Sequence, residues 1–176
     1  MRLSKKEAAS YQQWVKAAKR LGAAEARVIG AASVVTAHWV RLKCQFGCGG
    51  YGQRLTCPPH SPRPEETAAV LAEYRVALLV HNPSRGNWKS IKQVVVDLER
   101  EIFLAGHYKA LAFGCGPCDL CDSCNLESCE HPEQARPSME AAGIDVYATA
   151  RGNGFPIEVA RNRSSKQNYY GLVLIE

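Results

Sequence analysis

Long apolar runs are missing from this chain of 176 residues. None approaches the ~20 residues that a membrane-spanning helix needs, and the longest are of strand length. The first residues, Met-Arg-Leu-Ser-Lys-Lys-Glu, lead into a charged amphipathic segment and not into the apolar core of a signal peptide. A Walker phosphate loop, a dinucleotide-binding glycine fingerprint and a nucleophile elbow are absent, and Gly152-Asn-Gly-Phe is too short to cradle a phosphate. Internal repeats, low-complexity tracts and linkers are lacking as well. The chain therefore reads as a single domain over 1–176, and its 46% hydrophobic content is enough for a core. The expected location is cytoplasmic, where thiols stay reduced.

Cysteine is what the chain has in quantity. Of eight, five lie in one run, Cys115, Cys118, Cys121, Cys124 and Cys129, with two-residue gaps between the first four. Cys44, Cys48 and Cys57 form a second group upstream. In a reducing compartment clustered cysteines point to metal or catalysis and not to a disulfide framework. Eight thiols are the ligand count of two four-ligand sites, so all eight are candidate metal and cofactor ligands. The arithmetic closes when Cys44, Cys48 and Cys57 share a site with one cysteine of the later run. A crossed arrangement, in which Cys57 ligates the other centre, is equally open.

Zinc sites show paired Cys-x2-4-Cys knuckles a dozen or more residues apart. Three cysteines at wider gaps and five packed close fit 4Fe-4S clusters better. Gly47, Gly49, Gly50 and Gly52 suit a loop folded tightly around an inorganic core, and Cys57 precedes a proline as the last ligand of ferredoxin runs does. Cys115-Gly-Pro-Cys118 also matches the thioredoxin-type redox motif, but the thiols that follow would scramble such a dithiol. His60 and His131 lie near cysteines and are read as outer or surface groups, since thiols already fill both sites. His38, His81 and His107 have no evident partner. Arg136, Glu140 and Asp145 are candidates for lining a site near the clusters.

The net charge of +5 counts the thiols as neutral. A cluster or zinc ion held by four thiolates carries a net charge of about −2, so two such sites offset most of the basic excess. Nucleic-acid binding is not expected on this balance. Arg41, Lys43 and Arg54 lie beside the first cysteine group.

The patterning predicts a helix from a Ser4–Glu7 capping box to Gly22, one or two strands over 26–43 leading into Cys44, and a helix from Ser61 to about Tyr74. A buried strand over 76–80, a break over 81–86, an amphipathic helix from Trp88 to Ala105 and a short strand over 109–114 follow. Pro137–Gly143 reads as a short helix capped by Ser138, Gly152-Asn-Gly as a turn, 161–168 as a polar loop, and 169–175 as the last strand. This predicts an α/β fold, a layered sheet with flanking helices and two cysteine-rich metal-binding loops at one edge. Parallel strands would bring both loops to that edge.

Lys43-Cys-Gln-Phe-Gly-Cys48, Tyr51-Gly, Cys57-Pro-Pro-His-Ser-Pro-Arg-Pro-Glu-Glu, the Cys115–Cys129 run with His131-Pro, Ala135-Arg-Pro-Ser-Met-Glu-Ala, Gly143-Ile-Asp-Val and Gly171-Leu-Val-Leu-Ile together resemble one family. It is a family of predicted metal-binding proteins, a domain of unknown function. The resemblance implies a small cysteine-rich metal protein of bacteria and archaea, often anaerobes, with iron–sulfur clusters. It implies no substrate. The leading expectation is a protein with two 4Fe-4S clusters acting in electron transfer or as a redox accessory with a redox partner protein. The alternatives are an enzyme whose cluster binds substrate at an open iron, and a structural zinc module that binds a partner or nucleic acid.

Overall fold

The structure, a computed structural model, describes residues 4–84, 86–162 and 164–176. The N-terminal Met1–Leu3, Arg85 in the break after the second strand and Arg163 in the polar loop lie outside the described residues.

Ser4 caps the first helix as the capping box requires. Its hydroxyl accepts the Glu7 N–H at 3.2 Å, and the Glu7 carboxylate accepts the Ser4 N–H at 2.9 Å. The expected single helix is two, α1 (Lys5–Ser10) and α2 (Gln12–Arg20). The break falls where the Ser10 hydroxyl donates back to the Glu7 carbonyl at 2.6 Å and the buried Tyr11 hydroxyl donates to Glu176. β1 (Glu25–Gly30) follows.

The strand expected over 26–43 ends there. Val34, Val35 and Thr36 continue extended, but His38–Gly47 forms α3, so Cys44 sits on a helix and not behind a strand. The β-branched residues stop at Val40. Leu42, Lys43 and Gln45 favour helix, and no neighbouring strand offers them a ladder. α3 buries Val40 and leaves Trp39, Leu42 and Phe46 exposed.

α4 (Pro64–Ala72) starts on a proline, with the Glu66 carboxylate accepting the Arg63 N–H at 2.7 Å. α5 (Ile91–Leu104), β3 (Leu111–Phe113) and β4 (Asn168–Leu174) lie close to their expected places, whereas β2 (Val76–Pro83) runs on through His81, Asn82 and Pro83, where a break is expected, because β4 pairs with them. One further helix, α6 (Val146–Gly152), has no counterpart in the sequence reading. Its start is marked by Asp145, whose side chain accepts the Ala148 N–H at 2.9 Å.

The four strands form one sheet in the order β1-β2-β4-β3, and every pairing is antiparallel. Parallel strands were the expected device for bringing the cysteine loops together, and the sheet does not use it. Alternation along β2 and β4 sends Val76, Leu78, Val80, Val173 and Ile175 into one core beneath α2 and α5. Ala77, Leu79, Leu172 and Leu174 enter a second core with Met139, Ile144 and residues of α4 and α6. The result is an α/β layered fold with helices on both faces. Gly171 is required by the packing: a Cβ there would lie 2.6 Å from Val95 and 2.7 Å from Ile91 of α5.

Residues 137–143 are not the expected helix but a tight turn. The Ala142 N–H bonds the Ser138 carbonyl at 3.1 Å and the Ala141 N–H bonds the Ser138 hydroxyl at 3.0 Å. Gly143 closes it at φ +75, where a Cβ would strike Pro64 at 2.5 Å. Extension into a helix is blocked because the flanking backbone is committed elsewhere. The Met139 N–H bonds the Gly114 carbonyl at 3.0 Å, and the Gly114 N–H bonds the Pro137 carbonyl at 2.9 Å. At the other end Thr36 bridges Ile144. Segment 138–144 therefore clasps both cysteine-bearing segments, one at Gly114 before Cys115 and the other at Thr36 before α3.

Candidate metal centre

All eight cysteines are free thiols, and they fall into three places. Cys44 from α3, with Cys48 and Cys57 from the loop behind it, lines a cavity of about 300 Å³ whose far wall includes Gly116, Pro117 and Glu140. Gly50 lies between two of the thiols: its N–H donates to the Cys48 sulfur at 3.4 Å, and a Cβ there would sit 3.6 Å from Cys48 and 3.8 Å from Cys57. Cys118, Cys121, Cys124 and Cys129 line a second pocket of about 10 Å³, with Arg54, Thr56 and His131. Cys115 lines neither. It borders a cleft of about 670 Å³ running along Asn82, Lys89, Lys92 and Tyr170, and shares a smaller cavity of about 200 Å³ with Cys118 and Arg136.

The two groups abut. The backbone N–H of Cys118 comes close enough to the Cys57 sulfur to affect its proton affinity. The Arg54 guanidinium crosses to the second group and donates to the carbonyls of Cys121 at 2.6 Å and Asp122 at 3.2 Å. Arg41, by contrast, braces the back of the first site, donating to the carbonyls of Pro62 at 2.8 Å and Ala141 at 3.1 Å. Two basic residues chosen for charge balance thus act as backbone tethers.

Four of the thiols have raised proton affinities, each chiefly because burial disfavours the thiolate. Burial pushes Cys44 and Cys57 up, and the neighbouring Cys48 thiol adds to both. Burial pushes Cys115 up to about 11, with Glu140 adding. Cys121 is raised by desolvation and by Glu130 and the thiols beside it. Burial also raises the Glu140 carboxyl. Glu140 Oε2 at the first cavity is buried with no hydrogen-bond partner, and the Thr56 hydroxyl at the second pocket reaches only the neighbouring Cys57 thiol. Such orphans are costly in an apolar setting and are ordinarily satisfied by a water, an ion or a ligand.

A family model described as "Predicted metal-binding protein (DUF2284)" matches residues 27–175. The chain belongs to this family. Comparisons with curated proteins and with solved structures give no match. The match runs from within β1 to the end of β4 and takes in both cysteine groups.

The donor set fits a metal centre. Among the described residues, the set of three His, Cys or carboxylate side chains whose donor atoms all lie within 4.8 Å of one another is Cys121, Glu130 and His131. No three cysteine sulfurs are gathered that tightly. A tetrahedral zinc ion with Zn–S bonds of about 2.3 Å holds its sulfurs about 3.8 Å apart. The sulfurs of Cys44, Cys48 and Cys57 do not all stand that close together around their cavity of about 300 Å³.

His131, read from sequence as an outer group, stands beside Cys121. Of the three polar residues proposed near the clusters, Glu140 is at the first cavity. Arg136 lines a cavity of about 200 Å³ with Cys115 and Cys118, its guanidinium forked on Glu99 with both contacts at 2.8 Å, while Asp145 caps α6. His38 and His107 approach Glu65 at 3.8 Å and Glu176 at 3.3 Å. His81 stacks on Tyr170 and contacts Asn168 at 2.8 Å. The sequence reading missed Glu130 as a donor, although Cys-Glu-His is a visible signal. It also missed the large cleft, which no local pattern marks because its walls come from five separate stretches of chain.

Proposed function

We propose that this chain is an iron–sulfur protein that carries single electrons, with one cluster in the Cys44, Cys48 and Cys57 cavity and a second at Cys118, Cys121, Cys124 and Cys129. The observation that carries the reading is the first cavity: three thiols spread around about 300 Å³, wider than one ion needs. The second group supplies four thiols, the ligand count of a 4Fe-4S cluster. Contact between the groups at Cys57 and Cys118 supports electron passage from one to the other. Trp39, Leu42 and Phe46, exposed on the helix that carries Cys44, provide an apolar surface on which a redox partner protein docks.

A second reading applies to the second group alone. Its pocket of about 10 Å³ has room for a single water-sized atom, and Cys121, Glu130 and His131 form a zinc-type donor set. In that reading a structural zinc stands beside one redox cluster.

Anaerobic purification with iron, sulfide and zinc analysis, followed by electron paramagnetic resonance of the reduced protein, tests both. Iron with matching sulfide and a reduced-cluster signal is the expected result. A colourless protein with stoichiometric zinc and no sulfide overturns the iron–sulfur reading.

A further inference from the structure

We propose that Glu140, and not a cysteine of the later run, is the fourth protein ligand of the centre formed by Cys44, Cys48 and Cys57; the inference rests on the cluster reading above. The count of thiols leads there first. Three line the cavity, four line the adjoining pocket, and the eighth, Cys115, is packed against the core beneath α5, outside the thiol cavity, with Glu140, Lys92 and Asp119 in electrostatic reach. The wall facing the three thiols holds a carboxylate instead. Glu140 lines the cavity, lies within electrostatic reach of Cys44, and has Oε2 buried with no hydrogen-bond partner.

The backbone around Glu140 is fixed independently of any metal. The Gly143 N–H bonds the Glu140 carbonyl at 2.9 Å, and Gly114 and Thr36 hold the two ends of the clasp. The Ser138 hydroxyl and the Gly116 backbone lie within hydrogen-bonding reach of this carboxylate, but Oε2 is left buried and unsatisfied by them, and coordination satisfies it. The same residue belongs to the lining of the large cleft, which shares Gly116, Glu140, Val146 and Tyr147 with the thiol cavity. The metal corner that Glu140 holds is therefore the one that faces the cleft. Carboxylate is a harder ligand than thiolate, so that corner holds iron least firmly and exchanges ligands most readily.

The experiment compares Glu140→Gln with Cys115→Ser in the full chain, each purified anaerobically, with iron and sulfide content and the reduced and oxidised paramagnetic spectra as readouts. Glu140→Gln is expected to lose about half of the bound iron or to convert one cluster to a three-iron form on mild oxidation. Cys115→Ser is expected to keep wild-type iron and spectra. Glu140→Cys, which offers a thiolate in the same place, is expected to restore the iron and to resist oxidative loss better than wild type. Retention of wild-type iron and spectra in Glu140→Gln, with loss in Cys115→Ser, overturns the assignment and gives the place to Cys115. Iron loss in Glu140→Gln that Glu140→Cys fails to restore also overturns it, because the turn and not the ligand is then at fault. A wild-type protein without iron and sulfide overturns the cluster reading and this assignment together, so the two failures are distinct.

Discussion

The Arg54 guanidinium, which follows Cys48 by six positions in the first cysteine loop, donates a 2.6 Å hydrogen bond to the carbonyl of Cys121 in the second. Two cysteine groups about seventy residues apart in sequence are thereby tied through a charged donor and a backbone acceptor. Hydrogen bonds with one charged partner contribute about 1.5–3 kcal/mol each, so the tether fixes how the loops meet. Arg54→Ala is expected to weaken metal retention by about 10- to 100-fold, the usual effect of removing an outer partner of a metal site. Competition with a chelator measures it. Unchanged retention would show that the clasp at 138–144 suffices alone.

The thiols differ in their access to reagents. Cys48 is exposed, Cys57 is buried, and burial pushes Cys115 up to about 11. The thiolate is the reacting species. Metal-free protein treated with iodoacetamide at neutral pH is expected to be modified first at Cys48 and last at Cys115, as read by peptide mass spectrometry. Early labelling of Cys115 would place it in a more open site than the structure gives it.

Glu99 of α5 joins the end of the second cysteine run to the sheet. It pairs with Arg136 through two 2.8 Å contacts and accepts the Ala112 N–H at 2.9 Å. Both side chains are largely covered, at 12% and 21% exposure, so removing one charge leaves the other without its counterpart. Glu99→Gln is expected to cost about 3 kcal/mol, measured by urea unfolding of the metal-free protein. A change under about 0.5 kcal/mol, the range of ordinary surface substitutions, would mean that water replaces the carboxylate.

Acid affects the fold through Glu176. The hydrogen bond from Tyr11 holds this carboxyl below its ordinary 4.5, and His107 adds to the effect. The folded value lies below the unfolded one, so the contribution is present above 4.5 and is lost as pH falls through the folded value. Glu176→Gln is expected to be less stable than wild type at pH 7 and to converge with it on acidification below 4.5. Thermal unfolding across pH 3–7 follows the two curves. Parallel curves throughout would remove Glu176 from the acid response.

Much of the fold is legible in the residues because its signals are local. The Ser4–Glu7 box, the apolar run from Val76 and the amphipathic spacing over 91–104 each report on chain a few residues away. α3 and the turn at 137–143 are not legible in this way. His38–Gly47 is held by the Arg41 side chain on the Ala141 carbonyl and by the Thr36–Ile144 bridge before it, and Pro137–Gly143 by the backbone of Gly114, contacts distant in sequence.

The site divides along the same line. The sequence by itself determined that there are eight thiols in two groups, that metal is their business, and that Glu140 lies among the polar candidates beside them. Residue chemistry and spacing carry that information. Tertiary structure alone decided which thiols line a common cavity, that Arg54 ties the loops and that Glu140 lines the cavity of Cys44, Cys48 and Cys57. Those relations depend on an antiparallel sheet and a clasp at 138–144, which bring stretches of chain together that share no local pattern.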